Sequence, residues 1–102
     1  MRKIILDFKI TETPEQVQEY LALEFDFPDY YGKNLDALYD MLTELGEDTC
    51  VGIFRPDEER RINSYLARVK RVFQDAEQEN PHLCVIFGDL EENYEEVKGP
   101  EL

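Results

Sequence analysis

Three short apolar runs, widely separated along the chain, constrain the fold more than any other feature of this sequence. They occupy residues 4–8, 49–54 and 83–87, and they are rich in the β-branched and aromatic residues typical of strands. The segments between them have helical periodicity and are long enough to return the chain to the start of a parallel strand. We therefore predict an α/β fold with a small three-stranded parallel β-sheet packed by three to four α-helices.

The first connection carries a strong helix start. Thr13 is a candidate N-cap, Pro14 suits the first helical position, and Gln16 completes a capping box. Apolar residues then recur at helical spacing until the chain reaches Pro28. A helix that ends before Pro28 is the prediction.

A second helix is predicted from the Asn34 cap to Leu45, with Gly46 as the residue just beyond its C-terminus. Its apolar positions fall on one side of the helical wheel, and Asp36 and Asp40 fall on the other side. The apolar set comprises Leu38, Met41, Leu42 and Leu45. The middle strand that follows lacks clean alternation, which predicts burial on both of its faces.

Residues 56–78 are again helical in pattern, and the sequence leaves open whether they form one helix or two, because Asn63–Ser64 could cap a fresh helix. Asn80–Pro81 ends this region. After Gly88 the composition becomes strongly acidic. We therefore predict one domain over residues 1–87 and a mobile acidic tail over residues 88–102.

The charge balance restricts the classes of partner. There are 24 acidic and 11 basic residues, which give a formal net charge of −13 and a pI near 4.3. Such a chain repels nucleic acid and anionic membranes and is drawn to basic proteins, although solubility explains the acidity equally well on charge alone. No apolar run approaches the length of a membrane span or signal peptide. We expect a cytoplasmic protein that is monomeric when free.

Groups that carry out catalysis are sparse. The single histidine, His82, lies at the entrance to a strand, where a solvated or capping role is expected, and Cys50 and Cys84 lie in apolar runs typical of buried, reduced thiols. Metal-ligand spacing, glycine-rich phosphate loops and nucleophile motifs are absent from the sequence. The sequence predicts a binding protein, with no catalytic residues, metal or cofactor, and not an enzyme.

The segment around the second helix start is the candidate binding surface. Tyr30 and Tyr31 precede Gly32, and Asp36 and Asp40 follow four residues apart, so their carboxylates project from the same helix face. Such carboxylates can form charge-assisted hydrogen bonds with arginine or lysine, and tyrosine is enriched at interface hot spots. The alternative is that a tyrosine packs into the core and the aspartates lie on a solvated face.

Residues 28–40 read PDYYGKNLDALYD, an ungapped run that resembles the signature of the barstar family of intracellular ribonuclease inhibitors. The resemblance extends more weakly over residues 1–87. It implies that the second helix and its preceding loop enter a ribonuclease active site, where Asp40 takes the place of an RNA phosphate and Asp36 pairs with a basic residue at the rim. It implies a partner-binding set of Tyr30, Gly32, Asn34, Leu35, Asp36, Tyr39, Asp40 and Asp75.

Three residues depart from the family pattern. Tyr39 stands where barstar has tryptophan, Lys33 where it has glutamate, and Asp75 is one methylene shorter than its counterpart. Lys33 places a cation at the rim of an interface that should receive a basic enzyme. The resemblance therefore predicts a basic ribonuclease as the partner and leaves its identity open. The alternative is an immunity protein or interaction module that uses the same acidic face against a partner that is not a ribonuclease.

Overall fold

The computed structural model describes residues 1–55 and 61–89, without the side chains of Arg55 and Asp89. Three strands form one sheet in the order β1-β2-β3, with both neighbouring pairs parallel. Three α-helices accompany them within these ranges, and a short 3-10 turn follows β1. In chain order the elements are β1 (Arg2–Asp7), α1 (Pro14–Phe25), α2 (Leu35–Thr43), β2 (Thr49–Arg55), α3 (Asn63–Glu79) and β3 (Leu83–Asp89). The predicted α/β class is confirmed.

The sheet has one covered face and one more open face. Val51 of β2 pairs in register with Ile4 of β1 and Val85 of β3, and these residues join the core beneath the helices. Alternate positions point to the other side, here called the outer face, which carries Lys3, Ile5, Cys50, Cys84 and Ile86. Because β2 lies between two partners, most of its residues are buried, as predicted.

The start of α1 follows the capping chemistry expected from the sequence, except that one side-chain hydrogen bond is shifted by a residue. Thr13 Oγ1 accepts a hydrogen bond from the Gln16 amide at 3.1 Å, and Pro14 is the first helical residue. The Gln16 side chain reaches back to the amide of Glu12 at 2.8 Å, one residue earlier than in a capping box. The helix ends at Phe25, before Pro28 as predicted, and its C-cap Asp26 has a left-handed backbone.

The second helix is shorter than predicted. It ends at Thr43, and Glu44 serves as its C-cap, so the placement of Gly46 just after the helix is wrong. The reason lies far away in the chain, because the buried Asn80 side chain donates hydrogen bonds to the carbonyls of Leu42 and Leu45 at 2.9 and 3.0 Å. Those bonds satisfy carbonyls that would otherwise continue the helix or need a glycine turn.

A single helix, α3, occupies the described part of the region 56–78. It begins at Asn63 after Ile62, which acts as N-cap without a side-chain hydrogen bond, so Asn63–Ser64 lies within the helix and does not cap it. Its buried stripe completes the core and comprises Leu66, Val69, Phe73 and Ala76. Residues 56–60 lie outside the described residues.

The third strand continues to Asp89, so the domain boundary predicted after Phe87 falls within β3. The remainder of the predicted tail, residues 90–102, lies outside the described residues. Among the described helices, none combines the length and the apolar character that crossing a bilayer requires.

Candidate functional site

The two adjacent tyrosines of the loop before α2 have opposite environments. Tyr31 is only 6% exposed, whereas Tyr30 is 78% exposed. The Tyr31 hydroxyl donates a hydrogen bond to Gln18 Oε1 of α1, and Gln18 Nε2 donates to the Tyr65 hydroxyl of α3 at 2.8 Å. Of the two alternatives left open by the sequence, Tyr31 therefore packs into the core, whereas Tyr30 is exposed to solvent.

Burial gives the Tyr31 hydroxyl a fixed chemical state. Desolvation raises the pKa of Tyr31, and the neighbouring Tyr65 phenol raises it further. The Tyr31 ring also lies against Phe27, with ring centroids 4.6 Å apart. The phenol therefore remains a protonated hydrogen-bond donor, and it fastens the loop to α1 directly and to α3 through Gln18.

The sharp bend of this loop is at Lys33 and not at Gly32. Lys33 has a φ of 56°, in the left-handed region, whereas Gly32 keeps a negative or extended φ. A Cβ placed on Gly32 would meet Ala37 Cβ at 3.4 Å and Asn34 Nδ2 at 3.5 Å. These are ordinary van der Waals distances, so the fold does not require glycine at position 32, whereas Lys33 adopts a conformation that non-glycine residues seldom take.

Asn34 fixes the start of α2 as predicted. Its Oδ1 accepts a hydrogen bond from the Ala37 amide at 2.7 Å, and its Nδ2 lies 3.4 Å from the Gly32 carbonyl. Leu38 and Leu42 are fully buried on the inner side of the helix. This anchoring orients the opposite side of α2 toward solvent.

The solvent side of α2 carries the two predicted carboxylates. Asp36 and Asp40 are both exposed and lie one helical turn apart, with a Cβ separation of about 6 Å for such pairs. Neither forms an ion pair with another described residue. Asp36 occupies the first turn, where the helix dipole favours negative charge. Leu35 and Tyr39 are half-buried beside them and provide an apolar margin.

Asp75 is the predicted site residue that lies apart from the others. It is exposed on α3, and Arg71 Nε lies 3.6 Å from its Oδ1 in an i,i+4 pair. Within the described ranges, no hydrogen bond or ion pair joins it to the loop or to α2. The other seven predicted residues lie in the loop before α2 and on α2 itself, between Tyr30 and Asp40, and together they are here called the acidic face.

The remaining reactive side chains do not gather into a second site. His82 is exposed, and its Nδ1 lies 2.8 Å from Asp48 Oδ1, in keeping with a solvated role at the strand entrance. Cys84 is exposed on the outer face, so the expectation that both thiols are buried is wrong for this residue. Burial, followed by the Cys84 thiol, raises the pKa of Cys50. No cluster of metal-binding side chains occurs among the described residues.

Sequence reasoning missed the residues that support the acidic face from behind. Gln18 is a buried polar residue between Val17 and Leu21, and a polar side chain on the inner face of a helix is the signal that could have identified it. Tyr65 offers no such signal, because its spacing from the apolar residues of α3 is that of a core residue. The left-handed backbone of Lys33 has no local signal, because lysine has no preference for that conformation.

The acidic face combines an exposed tyrosine with two carboxylates that lack an ion pair within the described part of the chain, and the buried Tyr31 anchors it. The sequence model of the family described as Barstar (barnase inhibitor) matches residues 1–98. The chain belongs to the barstar family. The match includes residues 88–98, which the sequence resemblance left out. A protein of Bacillus subtilis (strain 168), named "Putative ribonuclease inhibitor YrdF", is 40% identical over 81 residues, which cover 78% of this chain and 89% of that protein.

Proposed function

We propose that this barstar-family protein inhibits a ribonuclease by placing its acidic face in the active site of the enzyme. The observation that carries the proposal is the pair of exposed carboxylates of Asp36 and Asp40, which form no ion pair with another described residue, together with the exposed Tyr30 of the preceding loop. The family description and the name of the B. subtilis relative support it. No chemical reaction is assigned to this protein in the proposal.

The mechanism follows from the chemistry of the partner. A ribonuclease binds phosphates, so its active site is a cationic cleft, and carboxylates spaced about 6 Å apart can engage two of its basic side chains. The net charge of −13 draws a basic enzyme toward this protein before contact. Inhibition then results from occupation of the cleft, which excludes RNA.

The proposal assigns a role to each part of the acidic face. Asp40 takes the place of the phosphate, and Asp36 pairs with a basic group at the rim. Tyr30 stacks on a side chain of the catalytic centre, and Asp75 adds a salt bridge once Arg71 releases it. The surrounding contact comes from Gly32, Asn34, Leu35 and Tyr39.

A rigid surface is favourable for this mode of inhibition. Tyr31 fastens the loop to α1 and α3, and Asn34 caps α2, so the carboxylates are held before the partner arrives. Ordering a loop during association costs free energy, and an anchored loop avoids much of that cost. The proposal also places the protein in the cytoplasm, where a ribonuclease would reach cellular RNA.

The test is titration of the intact protein into a barnase-type ribonuclease while RNA cleavage is followed. We expect stoichiometric inhibition, and Asp40→Ala should weaken it by about 2 kcal/mol or more, as for truncation at an interface hot spot. Asp36→Ala should mainly slow association and reduce its dependence on salt. Glu19→Ala is the charge-matched control, because Glu19 is exposed on α1 outside the acidic face.

Two results would redirect the proposal. Unchanged inhibition by Asp40→Ala would contradict the role of this carboxylate and the assumed geometry. Tight binding that leaves RNA cleavage intact would instead favour an immunity or adaptor role for the acidic face.

A further inference from the structure

A shallow groove adjoins the acidic face on the side of α3. It has a volume of about 330 Å³ and is lined by Lys33, Asn34, Leu35, Asp36, Tyr65 and Arg68. Three of these residues, Asn34, Leu35 and Asp36, belong to the acidic face itself. A partner that covers the start of α2 therefore also covers the mouth of this groove.

The groove carries two cations on an otherwise acidic protein. Lys33 and Arg68 are both exposed, and neither forms an ion pair with another described residue, although Asp36 lines the same groove. The left-handed backbone at Lys33, with φ of 56°, sets the direction in which its side chain leaves the loop. Lys33 and Arg68 are therefore available to a partner.

A second groove extends the same cationic strip away from the acidic face. It has a volume of about 470 Å³ and shares Tyr65 and Arg68 with the first groove, and it adds Arg61. Arg61 lies just before α3, and it lines this groove together with Arg68 of the helix. Glu12 is the carboxylate that lines this extension.

Cations at the edge of an interface require an opposite charge on the partner. When a partner covers them, they lose water, and an unpaired charge in a desolvated position weakens association. A uniformly basic enzyme surface would repel Lys33 and Arg68. The partner therefore needs a carboxylate at the position that faces the groove.

We propose that Lys33 and Arg68 form a carboxylate-binding subsite that selects among ribonucleases. This inference rests on the proposed function. The enzyme that fits this protein carries a basic active site and, at its rim, an aspartate or glutamate directed into the groove. Asp40 then supplies affinity for the catalytic cleft, and Lys33 and Arg68 determine which ribonucleases are accepted.

The probe is a catalytically inactive barnase-type ribonuclease displayed on phage, with the surface residues around its active site randomised. Selection is carried out on the native protein and on the double variant Lys33→Glu/Arg68→Glu. Native protein should enrich aspartate and glutamate at one or two rim positions, and the double variant should enrich lysine and arginine there. A selected acidic clone should bind the native protein about tenfold more tightly than its amide counterpart.

The control variant is Lys3→Glu/Lys9→Glu, which changes the net charge equally at exposed positions outside the groove. It should enrich the same rim residues as the native protein. The same rim composition on native protein and Lys33→Glu/Arg68→Glu would overturn the subsite while leaving the proposed function intact, provided that the parent ribonuclease is inhibited. A failure of both inhibition and selection would overturn the proposed function and this inference together.

Discussion

Replacing Tyr31 by phenylalanine isolates the hydrogen bond that holds the loop of the acidic face. The substitution keeps the buried ring and its contact with Phe27 but removes the hydroxyl that donates to Gln18. Gln18 is 1% exposed, so water cannot readily replace the lost donor. A buried acceptor left without its donor costs about 1–2 kcal/mol. At pH 7 we expect that loss in the free energy of unfolding, with a decrease of about 5–10 °C in Tm.

The same variant has a distinctive dependence on pH. The free tyrosine pKa is 10.0, and burial raises that of Tyr31, so above pH 10 the unfolded chain loses this proton while the folded protein keeps it. The stabilising contribution of Tyr31 is therefore complete below pH 10 and decreases as the pH rises toward its folded pKa, by about 1.4 kcal/mol per pH unit. The variant has no phenol at this position. Its deficit should close near pH 11 and reverse at higher pH.

Urea unfolding followed by circular dichroism at pH 7, 9, 10 and 11 measures this difference directly. Tyr30→Phe is the matched control, because Tyr30 is 78% exposed and its removal should change the stability little at any of these pH values. A deficit of Tyr31→Phe that stays constant from pH 7 to pH 11 would refute the argument that burial keeps this phenol protonated.

Two further predictions concern the framework. Asn80→Ala should lower the free energy of unfolding by about 3 kcal/mol, because the carbonyls of Leu42 and Leu45 lose their buried amide donor. Denaturant titration would measure this loss, and a value below about 0.5 kcal/mol would contradict the prediction. Cys50 and Cys84 are register partners on the outer face, and paired Cα atoms of neighbouring strands lie about 4.8 Å apart, within disulfide range. Diamide should therefore remove two hydrogens from the intact chain, which mass spectrometry detects, and stabilise it by about 3–4 kcal/mol. The Cys84→Ser variant should form no such internal bond, and failure of the native protein to form it would question the register.

Local sequence signals were sufficient to predict the helix starts, because the interactions that stabilise these features are themselves local. The Thr13 and Asn34 caps act on amides three residues away, so both helix starts could be predicted from their neighbours. The three apolar runs likewise indicated the strands and their parallel arrangement. The family signature in residues 28–40 led to the proposed binding surface, which stays a prediction.

Errors arose where a residue remote in sequence determines the local structure. The end of α2 depends on Asn80. The burial of Tyr31, in contrast to the exposure of Tyr30, depends on contacts with Gln18 and, through it, Tyr65. The exposure of Cys84 depends on which face of the sheet the helices cover. The spacing of neighbouring residues does not predict any of these long-range contacts. They could therefore not be inferred from a single sequence.

The contact that Glu77 makes could not be predicted from the pattern of charges either. Glu58, Glu59 and Glu77 stand among basic residues in this part of the sequence, a pattern that favours ion pairs on a solvated face. Glu58 and Glu59 lie outside the described residues. Glu77 instead accepts a hydrogen bond from the Val85 amide at 2.9 Å, beside the edge of β3. A carboxylate that occupies a backbone amide at a sheet edge also hinders pairing with another chain.

The parallel sheet has a consequence for synthesis of the protein on the ribosome. Each strand pairs only with a strand that is distant in the chain, so no hairpin can form early and hold a fragment together. The loop of the acidic face needs Tyr65 of α3, and the end of α2 needs Asn80. A nascent chain that has not yet exposed Asn80 lacks a rigid acidic face, even though residues 28–40 emerged much earlier. Under the proposed function, protection against a ribonuclease would therefore begin only after Asn80 has emerged.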